Sequence, residues 1–152
     1  MLHKIAILGA ALALISLGEW SWGQSGASTT PAVAVPLEST YWKLTEIGGM
    51  AAVGGSNANE ASLVLNGEGK KLTGSTGCNP LLGSYKLRDS SLHFKLAGMT
   101  KTACSDALRK QEEAFVEILK ETTNYRIVGD TLELREKEEL IAKFQAQPQK
   151  QP

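Results

Sequence analysis

Two cysteines, Cys78 and Cys104, constrain this chain more than any other feature, because a chain with two thiols has one way to close an intramolecular loop. Whether they pair depends on compartment. Lys4 supplies a positive charge ahead of an apolar run from Ile5 to Leu17, and Glu19 closes that run short of the roughly 20 residues a membrane-spanning helix needs. Ser21-Trp22-Gly23 then places small residues where a signal peptidase cuts, so residues 1–23 are expected to be a signal peptide removed before Gln24, with Ala27-Ser28 as the alternative boundary. The segment from Ser16 to Thr30 has no cysteine, so no lipid-attachment site is expected and no transmembrane span remains after cleavage. The expected location is periplasmic or extracellular. In such a compartment Cys78 and Cys104 should form a disulfide, worth about 3.5 kcal/mol on the chain-entropy model for a loop of this length.

Residues 24–39 are rich in Ser, Thr, Ala and Pro without hydrophobic period and read as a flexible linker, and residues 146–152 read as a disordered tail. Between them, one domain over residues 40–145 carries mostly strand patterning. Thr40 to Ile47 alternates, with Trp42, Leu44 and Glu46 on one face, and Trp42 is the expected core anchor. Gly48 to Ala61 has loop chemistry. Further strands are expected at Ser62–Leu65, Lys70–Ser75, Gly83–Leu87 and Ser91–Leu96, and three more at Asn124–Val128, Thr131–Arg135 and Leu140–Phe144. From Ser105 to Thr122 the period changes: Leu108, Phe115, Leu119 and Thr122 mark one amphipathic helix, capped by Ser105 or Asp106. Arg109, Lys110, Glu112, Glu113, Glu117 and Lys120 are placed in water. The expected fold is therefore α+β and β-rich, an antiparallel sheet wrapped around or packed on one helix.

Catalytic equipment is sparse. His93 is the one histidine of the mature chain and lies on the polar phase of its strand, which argues against a Ser-His-Asp or Cys-His unit. The carboxylates fall on the helix and in the turn Glu136–Glu139 rather than as a converging pair. Four Cys or His ligands for a metal are lacking, so no metal and no cofactor is expected. Lys+Arg 16 against Asp+Glu 16 gives no basic footprint, and no nucleic-acid partner is expected. The string Thr76-Gly77-Cys78-Asn79-Pro80 stands out as a rigid corner, whose Asn79 is either structural or a binding group.

Two strings resemble the META/HslJ domain family. Gly77-Cys78-Asn79-Pro80-Leu81-Leu82-Gly83-Ser84-Tyr85 is similar to its GCN-x-x-x-G-x-Y segment, and Gly98-Met99-Thr100-Lys101-Thr102-Ala103-Cys104 to its G-x-T-[KR]-M-A-C segment. Trp42-Lys43-Leu44, Leu72-Thr73-Gly74 and Gly129 to Leu134 agree with its flanking strands. Thr102, in place of the usual methionine, and Pro80, in place of a basic or polar residue, depart from the pattern. The resemblance implies a strongly bent antiparallel sheet or incomplete β-barrel with one helix. It also implies an exported bacterial envelope protein linked to stress or secretion and lacking an enzymatic activity. A monomer that binds a peptide, a lipid tail or a partner protein in a groove exposed between the bent sheet and the helix is the expected form. The corner residues Gly77, Asn79, Gly83, Tyr85 and Thr100 are its candidate binding or structural site. The alternative is an inhibitor or purely structural accessory domain acting through the Gly-rich loop and this corner.

Overall fold

The computed structural model describes residues 35–54 and 60–148. The expected signal peptide, most of the expected linker and the end of the expected tail lie outside the described residues. Within them, strands follow the alternation of the sequence: β1 (Tyr41–Ile47), β2 (Met50–Ala51), β3 (Ala61–Asn66), β4 (Lys71–Thr76), β5 (Pro80–Arg88) and β6 (Ser91–Met99). The helix α1 (Asp106–Glu121) comes next, then β7 (Asn124–Val128), β8 (Thr131–Glu136) and β9 (Glu139–Gln147). The ladder runs β2-β1-β3-β4-β5-β6-β7-β8-β9, with antiparallel pairing throughout, and β1 pairs with β9 as well. The sheet therefore closes into a β-rich barrel, with β2 folded back on the end of β1. Closure removes the two edges that an open sheet would expose to other chains.

Three local differences from the sequence reading have physical causes. A bulge between Leu44 and Glu46 in the β1–β9 ladder shifts the alternation, so Ile47 is buried and Glu46 turns outward to Lys143 at 2.9 Å. Leu37, inside the expected linker, is 6% exposed and its carbonyl accepts the Trp42 indole N–H at 2.9 Å. A lone buried leucine beside Pro36 leaves no period to detect. β9 runs on through Gln147 because Trp42 pairs with Ala146 and Tyr41 with Gln147; backbone pairing requires no large side chain.

The core is built from inward positions of nearly every strand, with Trp42, Leu63, Leu65, Leu81, Leu132 and Phe144 sealed from solvent. α1 contributes Phe115, Ile118 and Leu119, and the Phe115 and Phe144 rings lie 5.9 Å apart in a tilted contact. Ser105 caps the helix by accepting the Leu108 N–H, and Thr122 Oγ1 bonds the Ile118 carbonyl at its end. α1 packs on β4 and β6. On its far side β6 shares a single pairing with β7, Ser91 with Asn124. Leu108 is half-buried, and the stripe's most buried early position is Gln111.

Candidate functional site

The GCN corner is a tight connection between β4 and β5. Gly77 adopts φ 90°, a conformation glycine accepts without strain, while the Thr76 N–H donates to the Asn79 carbonyl at 2.9 Å. Cys78 is bonded to Cys104, with the Cα atoms 6.0 Å apart, so the corner is tied to the approach of α1. Asn79 is 1% exposed. Its Oδ1 accepts from the Thr102 N–H at 2.8 Å and from Thr100 Oγ1 at 2.9 Å. Its Nδ2 donates to Glu112 Oε2 at 2.9 Å and to the Thr102 carbonyl at 3.4 Å. The amide's two donors and its acceptor oxygen are thus used inside the chain. Thr102 needs no methionine side chain for this role, since its backbone does the bonding.

Glu112 corrects the sequence reading. It was expected on the solvent side of the helix, yet it is half-buried and takes hydrogen bonds from Thr76 Oγ1 at 2.6 Å and from Asn79. A carboxylate can occupy this position because two donors replace part of its lost hydration.

Tyr85 and Gly83 serve a different part of the barrel. The Tyr85 hydroxyl donates to Glu38, whose Oε1 also pairs with Lys70 Nζ at 2.7 Å, and Lys70 lies 5.5 Å over the Tyr85 ring. The Lys70 hydrogen bond, with the Tyr85 hydroxyl's help, holds the Glu38 carboxyl below its ordinary range. Burial, with Glu38 beside it, pushes the Tyr85 phenol up. Gly83 is a close-approach position: a Cβ there would meet the Lys95 carbonyl oxygen at 2.6 Å. His93 stands on the outer face opposite Lys86. Among the described residues no hydrogen bond joins it to a nucleophile or a carboxylate, and no group of three or more His, Cys, Asp or Glu is arranged to hold a metal ion.

An open groove of about 500 Å³ lies between the β1–β2 hairpin and α1; a groove between sheet and helix is expected from the sequence, but its lining is not. Ile47, Met50, Val53, Ala107, Ala114 and Ile118 line it, with Lys110 and Glu117 at the rim. Gln111 sets its width, because its side-chain amide bonds both the N–H and the C=O of Val53 and so fastens the segment after β2 to the helix. Gln111 lies three residues after Leu108 and four before Phe115, on the buried stripe; that spacing was the available signal. A second hollow, of about 650 Å³, lies beside the disulfide and is more polar, with Lys101, Arg109, Glu112 and Glu113 on its walls.

A barrel closed by its first and last strands, covered by one helix and pinned by a disulfide, defines a class of small β-barrel proteins. The chain belongs to the META domain family, whose model matches residues 35–148. The match extends slightly beyond the 40–145 read from the sequence. No curated protein sequence matches the chain. Among solved structures, it is similar to an NMR structure of a protein from Burkholderia xenovorans, 26% identical, with a TM-score of 0.59 over 74% of this chain and 85% of that one. A second NMR structure is 20% identical, with a TM-score of 0.55 over 73% of this chain and 95% of the other, a likeness of fold. Among the described residues no helix is long and apolar enough to cross a membrane.

Proposed function

We propose that this META domain protein is an exported, non-enzymatic envelope accessory protein, in a stress- or secretion-related role, that binds an extended apolar peptide segment of a partner in the groove between β1–β2 and α1. The groove carries the reading: its walls are aliphatic, Met50 and Val53 are 69% and 43% exposed there, and its volume suits a few side chains. A peptide is favoured over a lipid tail by the backbone beside it. β2 pairs only with β1 among the described residues, so its other edge has main-chain groups free to pair with an added strand. A lipid tail would leave those groups unused. Asn79, by contrast, has no spare hydrogen-bonding capacity to offer a partner.

A photo-crosslinking residue at Met50, activated in the producing cell, tests the reading. The expected product is a covalent adduct with a polypeptide that disappears in Ala114→Trp, a substitution at an exposed position that fills the groove. An adduct with lipid alone, or one that survives Ala114→Trp, overturns it. Fractionation that leaves the chain in the cytoplasm removes the export half, and turnover of a substrate by the purified protein removes the non-enzymatic half.

A further inference from the structure

Charge is balanced over the chain and segregated over the fold. β4, β5 and β6 contain no Asp or Glu, and their outward positions carry Lys71, Lys86, Arg88 and Lys95, with His93 among them. The ladder fixes their layout. Lys71 pairs with Ser84, which pairs with Lys95, so these two lysines stand two strands apart on one row, about 10 Å at the usual strand spacing. Lys86, opposite His93, begins the next row and Arg88 the one after. Among the described residues none of the four cations joins an ion pair, whereas Lys43, Lys70, Arg109, Lys120, Arg126, Arg135 and Lys143 do; Lys101, Lys110 and Lys137, outside this face, are likewise without one. On the row beside Lys71 and Lys95, Leu82 projects outward between Thr73 and Gly98 and is 58% exposed. Carboxylates stand at the margins, with Asp89 in the β5–β6 turn and Glu68 in the short 3-10 turn before β4.

We infer that the outer face of β4–β5–β6 is a docking surface for an anionic phospholipid bilayer. Unpaired cations at headgroup spacing supply the attraction, and an exposed leucine among them supplies an apolar contact that can enter the interface. The outward positions carry no Phe, Tyr or Trp, and His93 alone does not make a platform for successive bases, which disfavours single-stranded nucleic acid. The inference is independent of the groove, which lies on other elements.

Vesicle partitioning of the full chain tests it, with phosphatidylglycerol and phosphatidylcholine in roughly equal parts against phosphatidylcholine alone. Binding that depends on the anionic lipid and weakens with salt is expected. At roughly fivefold per surface cation, Lys71→Gln/Lys86→Gln/Lys95→Gln should lower that binding about 100-fold, and Leu82→Ser several-fold. Lys120→Gln/Arg126→Gln/Lys137→Gln removes the same charge elsewhere and should lower it far less. Equal binding to both vesicle types, equal loss in the two triple variants, or binding to duplex DNA without binding to anionic vesicles would each overturn the inference. Circular dichroism of every variant separates a lost surface from a lost fold.

Discussion

Asn79 and Glu38 each centre a polar cluster that joins distant parts of the chain, and the two clusters differ in what water can do for them. Around Asn79 the central group is shut in: the amide is 1% exposed and bonded to Thr100, Thr102 and Glu112, which are themselves only partly covered. Around Glu38 the Lys70 side chain is 50% exposed and the carboxylate 31%. Removing a partner from the first leaves the sealed Asn79 amide with an unmet donor or acceptor, whereas water replaces a partner lost from the second. A hydrogen bond in the first cluster therefore carries more stability than one in the second.

The largest effect should come from the staple beside the sealed cluster. Cys78→Ser/Cys104→Ser should lower the unfolding free energy by about 3.5 kcal/mol in urea denaturation, and hydrogen exchange should rise first in α1 and the GCN corner. A free-thiol titration finding two reactive cysteines in the native protein would contradict the bond itself. Asn79→Ala should cost about 3 kcal/mol by the same denaturation, because it empties a sealed site and removes the amide that joins Thr100, Thr102 and Glu112. A loss below about 1 kcal/mol would place the two clusters on one scale. Gly83→Ala should cost about 2 kcal/mol, since the Lys95 carbonyl must move to admit the methyl group. Glu38→Gln is the smallest, about 0.5 kcal/mol at neutral pH, discounted for exposure.

The sign of the Glu38 contribution follows from its lowered folded-state value. Its stabilisation is present above the ordinary carboxyl value of 4.5 and is lost as pH falls through the lower folded value. The stability difference between wild type and Glu38→Gln should therefore shrink on acidification. A difference that grows toward acid would mean that Glu38 is not the group held by Lys70.

Part of this architecture was legible in the chain. Alternation along Ser91 to Leu96 placed His93 outward, the Phe115–Leu119 stripe marked the helix, and two cysteines in a chain read as exported marked the staple. The same reasoning put Glu112 in water, because a helical wheel shows which residues lie off the apolar stripe and not what stands opposite them. A groove between sheet and helix was expected, but its walls were not legible for a similar reason: Ile47, Val53 and Ala114 are unremarkable singly and meet only through the β1–β2 hairpin and α1. The lysines of β4 to β6 were hidden by a balanced total.

Local order in this protein is a property of sequence alone, since side chains two or about 3.6 residues apart fall on one face whatever the rest of the chain does. The strand pattern, the single helix and the rigid turn at Gly77 belong to that order, and the pairing of Cys78 with Cys104 follows from the cysteine count in a chain read as exported. Tertiary structure decided whether the sheet closed, since Leu44 meets Phe144 only if the first and last strands of the domain share a register. It also decided that Asn79 and Glu112 seal a cluster, and that four unpaired cations share one face. Each depends on which distant segments become neighbours, and that is set by the packing of the whole core rather than by any local run of residues.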